Sequence, residues 1–304
     1  MKKLKIKKKL RVGKEKDSDI ELFNMGSLLQ FETHCWQARK QLPKDKLKEL
    51  FGEKQQWVNA TKQLINRNKL KDLQSYISDA RRIIDTYSLP FPIKGIHLIP
   101  HNNIELVTQK LNEINEGFSK EADKISEQYA EFIEESQDSL GTDFFNMQDY
   151  PSSIRDKFYI NWRFFDLTLP ERITEEVRKQ ETEKFKNMMN ETKQLSIIAL
   201  REGFADIVNH LTEKLTEDDG KEKRFHQSSI DKISNFFTEF QNKNIFKDAE
   251  LESIISRAKG IVEGVQVTNL RSDVELQKRI KDQLNPIKDE LNKSIKTYRR
   301  KMTL

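Results

Sequence analysis

The sequence is poor in the residues that several common kinds of site require. It has one cysteine, Cys35, among 304 residues, which excludes an intramolecular disulfide framework and a zinc site with several thiolates. Ten glycines and seven prolines are about half the usual share, which argues against a turn-rich all-β fold. The sequence also has no Gly-rich phosphate loop and no apolar run of the roughly 18–20 residues that cross a bilayer. We therefore expect a protein of the reducing cytoplasm, with no membrane span and no cofactor.

Charge is abundant but unevenly placed. The chain has 54 basic and 49 acidic residues, a net charge of +5. Residues 1–16 hold nine basic residues and one acidic residue, and residues 293–304 hold five basic residues and no acidic one. The part between them is therefore net acidic. This distribution disfavours a uniformly basic nucleic-acid domain and leaves two basic ends on an acidic body.

Two runs near the N-terminus alternate in the way that strands do. Apolar residues occupy even positions between 4 and 12, with lysine at most odd positions, and a strand or a solvated basic arm explains this equally well. The apolar members are Leu4, Ile6, Leu10 and Val12. A second alternating run over residues 29–35 predicts another strand. Pairing of these two runs would form a small sheet.

Long amphipathic helices dominate the rest of the sequence. Apolar residues recur every three or four positions over residues 69–87 and again over residues 103–136, where a helix would be about 50 Å long. A second long helix is predicted from near Pro170 to about Lys214, with Thr168 and Glu171 in capping-box spacing at its start. We expect the two long helices to pair as an antiparallel, coiled-coil-like hairpin.

The last third of the chain predicts a block of shorter helices. Ser228 and Asp248 are expected to cap two of them, and Ser272 with Glu275 has the spacing of a capping box for a third. Pro286 is expected to kink this last helix.

The predicted fold class is thus mainly α, with a long helical hairpin, a small β element and a C-terminal helical block. We predict three regions: an N-terminal α/β region with a basic start over 1–100, a helical hairpin with an aromatic-rich insert over 101–220, and a helical region with a basic tail over 221–304.

Catalytic patterns are weak. His34 and Cys35 are neighbours in a predicted strand, so their side chains point to opposite faces and suit a nucleophile–base pair poorly. His97 and His101 are four residues apart, but Pro100 prevents a shared helical face for a metal. We therefore predict no catalytic, cofactor or metal residue. An enzyme whose residues converge only in three dimensions is a weaker alternative.

The basic ends are the candidate contact residues. They could bind nucleic-acid phosphates or an acidic partner, and solubility explains them equally well. The candidates are Lys2, Lys3, Lys5, Lys7, Lys8, Lys9, Arg11, Lys296, Arg299, Arg300 and Lys301.

Several stretches together resemble a known family. They are the segment from Trp36 to Leu42, TYSLPFPIKGIHLIP (86–100), FYINWRFF (158–165) and the run over 225–255. Over roughly residues 25–265 the chain is similar to uncharacterised phage and mobile-element proteins, often encoded beside MoxR-type AAA+ ATPases and von Willebrand factor A-type proteins. Members of the family usually have a small residue, often glycine, two positions after the tryptophan. Ala38 fits this pattern only approximately.

These observations predict a non-catalytic interaction or scaffold protein in the cytoplasm of a bacterial host. The resemblance implies a phage or mobile-element origin and an adaptor role for an AAA+ ATPase, with a protein partner or a second copy as ligand. The alternative is a nucleic-acid-binding accessory protein that acts through the two basic ends.

Overall fold

A computed structural model describes residues 25–167, 173–215 and 227–302, which are mostly helical with a small antiparallel sheet, as the sequence predicts. The strands are β1 (Gly26–Cys35), β2 (Arg39–Gln41), β3 (Thr61–Gln63), β4 (Leu89–Pro90), β5 (Ile96–Pro100) and β6 (Phe158–Phe165). The helices are α1 (Lys44–Phe51), α2 (Lys71–Tyr87), α3 (His101–Glu127), α4 (Tyr129–Phe144), α5 (Glu175–Lys214), α6 (Gln227–Lys243), α7 (Ala249–Val262), α8 (Val267–Ser272) and α9 (Val274–Met302). Within these described residues, no helix has the length and apolar character to span a membrane.

β1 is an inner strand of a four-stranded antiparallel sheet with the order β4-β5-β1-β6. β5 pairs with β1 over residues 26–30, whereas β6 pairs with it over residues 28–35. β1 therefore has neighbours on both sides at its start and on one side only at its end. The strand predicted over residues 29–35 is confirmed, while the run over residues 4–12 lies outside the described residues.

The two faces of the sheet contact different helices, because successive side chains of a strand point to opposite sides. Leu29 packs into a core with Ile84 of α2 and Val107 of α3, and all three are inaccessible to solvent or nearly so. Leu28, the preceding residue, faces the other way and enters a core built with α5, α6, α7, α8 and α9. The sheet thus separates an α2–α3 layer from the layer that contains α5.

The two long helices are present but do not form the predicted hairpin. α3 packs mainly along α2, and α5 packs mainly along α9. Gly117 allows the close approach of α3, since a Cβ there would lie 2.7 Å from the ring of Tyr76 in α2. Val107 of α3 and Phe204 of α5 belong to different cores. Periodicity predicts an apolar stripe on each helix, whereas the fold decides which stripes meet.

The predicted bounds of the long helices change in two places. The helix predicted over residues 103–136 is divided, since α3 ends at Glu127 and α4 begins at Tyr129. α5 begins at Glu175, where the side chain of Thr174 accepts a hydrogen bond from a backbone N–H. The capping box predicted at 168 and 171 lies outside the described residues.

The helices α6 to α9 occupy the region predicted as a C-terminal helical block. Asp248 caps α7 as predicted, because its Oδ1 accepts from the Leu251 N–H at 3.1 Å. The predicted cap at Ser272 is wrong: this residue ends α8, and Asp273 caps α9 instead. Pro286 lies inside α9, which continues past it. The boundaries predicted at residues 100 and 220 stay predictions.

A buried ion pair joins α5 to the start of α7. The guanidinium of Arg201 donates from Nε and Nη2 to the two carboxylate oxygens of Asp248, at 2.9 and 2.7 Å. Its Nη2 also donates to Glu250 at 2.8 Å, and the ring of Tyr298 in α9 stacks 4.6 Å from the guanidinium carbon. The helices α5, α7 and α9 are therefore connected through one side chain.

Candidate functional site

The end of β1 has a free edge. In an antiparallel strand the peptide groups of alternate residues point to opposite neighbours. Met25 O accepts from His101 N on the β5 side, at 2.9 Å, and Trp36 N donates to Lys157 O on the β6 side, at 3.2 Å. Odd-numbered residues of β1 therefore direct their peptide groups toward β5.

β5 stops before it covers this edge. Its first residue, Ile96, lies opposite Gln30 of β1. The pairing of Gln30 with Ile96 places the last β5 bond between the Phe31 N–H and the Gly95 carbonyl, so Thr33 and Cys35 are the groove-facing residues whose peptide groups bond to no other residue in the described part of the chain. Thr33 and Cys35 thus offer unpaired backbone donors and acceptors at an inner position of the sheet, along a free edge that runs from residue 32 to residue 35.

α2 forms a wall opposite this edge. Two clefts of about 560 and about 490 Å³ lie between the free edge and one face of the helix. They share Thr33 and Arg81, so they form one continuous groove, which we call the β1–α2 groove. The helix residues that line it are Gln74, Ile77, Ser78, Arg81, Ile84 and Asp85. This face is about 17 Å long at 1.5 Å per residue, the length of about five extended residues.

Polar groups are placed along the groove. Arg81 Nη2 donates to Thr33 Oγ1 at 3.4 Å, which bridges the two walls at the centre. Glu32 and Asp85 contribute carboxylates at one end, where Gly95 and His97 complete the lining. Ile77 and Ile84 lie in the helix wall but are buried in the core, so they add little surface that a ligand could contact.

Burial favours the neutral forms of two titratable groups of the groove, His97 and Cys35. Burial lowers the pKa of His97, an effect that the charge of Asp85 only partly opposes, so the imidazole is neutral at neutral pH. Its Nδ1 lies 3.4 Å from the hydroxyl of Ser88. Burial raises the pKa of the Cys35 thiol, which disfavours the nucleophilic thiolate.

His34 and Cys35 point to opposite faces of the sheet, as the strand pattern predicts. The ring of His34 stacks on Tyr159 of β6, with centroids 5.7 Å apart, and the Tyr159 hydroxyl donates to Glu32 at 3.2 Å. Cys35 packs against the core on the α2–α3 side. This face beside Glu32 is partly exposed, because the α5 layer covers only the Leu28 end of the sheet.

The lining of the β1–α2 groove has features suited to binding an extended chain. In the described ranges, no group of three or more His, Cys, Asp or Glu side chains could hold a metal ion. The groove combines unpaired peptide groups with a helix wall of mixed polar and apolar residues and a few charges. These are the features by which a sheet edge accepts an extended chain as an added strand.

The predicted contact residues lie elsewhere. Lys2, Lys3, Lys5, Lys7, Lys8, Lys9 and Arg11 are outside the described residues. Lys296, Arg299 and Arg300 are exposed near the end of α9, which also contains Lys301. Arg299 forms an ion pair with Glu202 of α5 at 2.6 Å. Whether the basic ends bind nucleic acid stays a prediction.

Sequence reasoning missed the groove itself. It identified the apolar stripe of α2 but gave no role to Ser78, Arg81 or Asp85 on the adjoining face. One signal was present: the alternating run to Cys35 is longer than the extended piece before Pro100 that pairs with it. A difference in strand length of this kind leaves an edge unpaired.

A family model described as "Protein of unknown function (DUF3150)" matches residues 24–218, more than half of the chain. The chain belongs to the DUF3150 family. The predicted membership of an uncharacterised family is thereby confirmed, although the matched part ends before residue 265. No curated protein and no solved structure matches the chain. The β1–α2 groove lies wholly within the DUF3150 match, whereas Asp248 and the helices α6 to α9 lie after it.

Proposed function

We propose that this DUF3150 protein is a non-catalytic interaction protein that binds an extended segment of a protein partner in the β1–α2 groove. The observation that carries the proposal is the free edge of β1 beside the α2 wall. A cytoplasmic setting, a phage or mobile-element origin and an adaptor role for an AAA+ ATPase belong to the same proposal. Their support is the resemblance in sequence.

An unpaired sheet edge at this position is able to pair with an additional strand. Proteins normally protect sheet edges by covering them, bending them or placing charges on them, because unpaired edges recruit other chains. Here the peptide groups of Thr33 and Cys35 face an open groove. An added strand satisfies these groups with main-chain hydrogen bonds, each worth about 0.5–1.5 kcal/mol net.

The dimensions favour a short segment bound reversibly. About five residues fill the groove, and a few hydrogen bonds must offset the ordering of the segment. We expect a dissociation constant on the order of micromolar, about −8 kcal/mol. Such affinity is typical of an adaptor that exchanges partners and is unlike an obligate interface.

The test is selection of displayed random 12-residue peptides on the full-length chain, followed by titration of the selected peptides. Bound peptides are expected to slow hydrogen exchange at the Cys35 amide, which faces the groove. Thr33→Pro removes one groove-facing N–H that bonds to no other described residue, so the fold should tolerate it while binding weakens at least tenfold. Thr33→Val keeps that N–H and the β-branched shape, and binding should persist.

A second pair of variants tests the helix wall. Ser78→Trp places a large ring in the groove, whereas Ser75→Trp places it on an exposed position that does not line the groove. Only the first should block the peptides. The proposal fails if no selected peptide protects the Cys35 amide, or if the proline variant and the Ser78 variant both bind as well as the wild type.

A further inference from the structure

A second exposed surface lies in the segment between β2 and β3 and shares no residue with the lining of the β1–α2 groove. It is formed by α1 and by the 3₁₀ helix Gly52–Trp57 that follows it. Trp57 is 85% exposed, the highest value for a large apolar side chain among the described residues, and Phe51 is 41% exposed. Tryptophan is largely buried in most folded proteins, so two exposed rings in one short segment indicate an interaction surface.

Each ring shares a helix face with lysine side chains. In α1, Lys44, Lys48 and Phe51 are four and three residues apart and therefore lie along one face. In the 3₁₀ helix, Lys54 and Trp57 are three residues apart, the spacing at which its side chains are eclipsed. All three lysines are exposed. We call these five residues the cation–aromatic surface.

This segment is basic, although the body of the chain is net acidic. Residues 39–62 hold seven basic residues and three acidic ones. Three of the basic residues pair with the carboxylates of Asp149 or Glu49. The three lysines of the cation–aromatic surface form no ion pair with another described residue. Their charges are therefore available to an anionic ligand.

The placement of rings and charges on one face distinguishes between anionic ligands. A helix that binds a membrane surface separates its apolar face from its cations, whereas here the rings lie among the cations. A nucleic acid fits this arrangement, because lysines contact its phosphates while aromatic rings stack on its bases. The strand must be single, since the bases of a duplex already stack on each other.

We infer that the cation–aromatic surface binds single-stranded nucleic acid. The inference does not depend on the proposed function of the β1–α2 groove. It also differs from the nucleic-acid role predicted for the basic ends, because the contacts lie between β2 and β3 and include bases as well as phosphates. The two rings accommodate about two bases, and binding tolerates any sequence, since every base has a face on which a ring can stack.

Fluorescence anisotropy of labelled (dT)12 with the full-length chain tests the role of the exposed ring. Trp57→Ala should weaken binding at least fivefold, because it removes the stacking of one base. Trp57→Phe keeps an aromatic ring and should bind within threefold of the wild type. Val274→Ala changes another exposed apolar side chain and is the control, which should bind as the wild type does.

Salt dependence tests the lysines. In single strands, each phosphate contact contributes about 0.7 to the slope of log K against log salt. Lys48→Gln combined with Lys54→Gln should therefore lower this slope by about 1.4. The matched control combines Lys120→Gln with Lys193→Gln, at two exposed lysines outside the surface, and should leave the slope unchanged.

Tryptophan emission separates the inference from its alternatives. Trp36 and Trp162 are partly buried against the core, so the emission of Trp57 should respond most to a ligand. (dT)12 should quench this emission, and the matching duplex should quench it less.

Four results would overturn the inference: no binding of (dT)12, equal affinity of Trp57→Ala and the wild type, equal or stronger quenching by the duplex, or emission that responds only to lipid. The second result would assign the binding to residues outside the surface, such as the basic ends. In the last case, vesicles of equal parts phosphatidylcholine and phosphatidylserine would shift the emission to the blue while (dT)12 had no effect. That outcome would assign the surface to an anionic membrane.

Discussion

Replacement of Asp248 by alanine should be among the most destabilising single changes in the helical block. The Arg201 side chain is fully inaccessible to solvent, and that of Asp248 is 4% exposed. Burial lowers the pKa of Arg201, but the hydrogen bonds that it donates to Asp248 and Glu250 raise the pKa by more, so the guanidinium stays charged. Arg201 Nη1 has no hydrogen-bond partner in the described part of the chain. Loss of Asp248 would leave this buried cation with the partly exposed Glu250 alone.

The magnitude follows from what each variant removes. Breaking a buried ion pair from one side costs about 3–5 kcal/mol of unfolding free energy, and loss of the α7 cap contributes about 1 kcal/mol to such a change. We therefore expect Asp248→Ala to cost about 4–5 kcal/mol. Asp248→Asn keeps a capping oxygen and one acceptor for Arg201, so a cost of about 2–3 kcal/mol is expected. Arg201→Met combined with Asp248→Leu removes both charges and should recover most of the loss.

Urea unfolding followed by far-UV circular dichroism measures these differences as shifts of the midpoint at constant slope. Glu290→Ala is the matched control, because its ion pair with Arg257 joins two helices of the same block but is half exposed. That variant should cost less than about 1 kcal/mol. The reasoning is refuted if Asp248→Ala costs no more than the control, or if the double variant is as unstable as Asp248→Ala.

Three further predictions concern single residues. Because burial lowers the pKa of His97 below its ordinary value of 6.5, the unfolded chain takes up its proton first, and stability should fall as the pH drops below about 6.5. Between pH 7.5 and 5.5, the His97→Gln variant should lose less unfolding free energy than the wild type, as measured by urea unfolding. An equal loss in both proteins would show that His97 does not cause the pH dependence. Lys247 has φ of 52°, a left-handed value that is unfavourable for residues with a side chain. Lys247→Gly should therefore raise the unfolding free energy by about 0.5–1 kcal/mol, whereas Lys247→Ala should not. Equal effects of the two variants would show that the left-handed backbone does not cause the difference. The Cys35 thiol should react with iodoacetamide at least tenfold more slowly in the folded chain than in urea, because it is half-buried with a raised pKa. Similar reaction rates in the folded chain and in urea would show that the Cys35 thiol is accessible in the folded chain.

Local patterns predicted the elements well where one periodicity dominates. The stripe over residues 69–87 corresponds to α2, and the alternation over residues 29–35 corresponds to the second part of β1. Asp248 was identified as a cap because a carboxylate before an apolar-periodic run satisfies free N–H groups. Even Ala38, where the family resemblance expects a small residue and often glycine, has φ of 48°, a left-handed value that favours glycine.

The pairing of elements was not predictable in the same way. The hairpin prediction paired the apolar stripes of the two long helices with each other. In the structure α3 packs against α2, where Gly117 leaves space for the Tyr76 ring. The partner of Arg201 lies 47 residues away at the start of α7. Such contacts depend on how layers stack around the sheet, which no local spacing encodes.

The sequence by itself determined a mostly helical chain with a small sheet and two basic ends, because these follow from periodicity and composition within short windows. The tertiary structure alone decided that β5 ends opposite Gln30 and that α2 lies along the edge this leaves open. A free edge is a property of a neighbour's length and position, so the residues at the edge cannot reveal it. For this reason the β1–α2 groove became visible only when the strands and the helix were placed together.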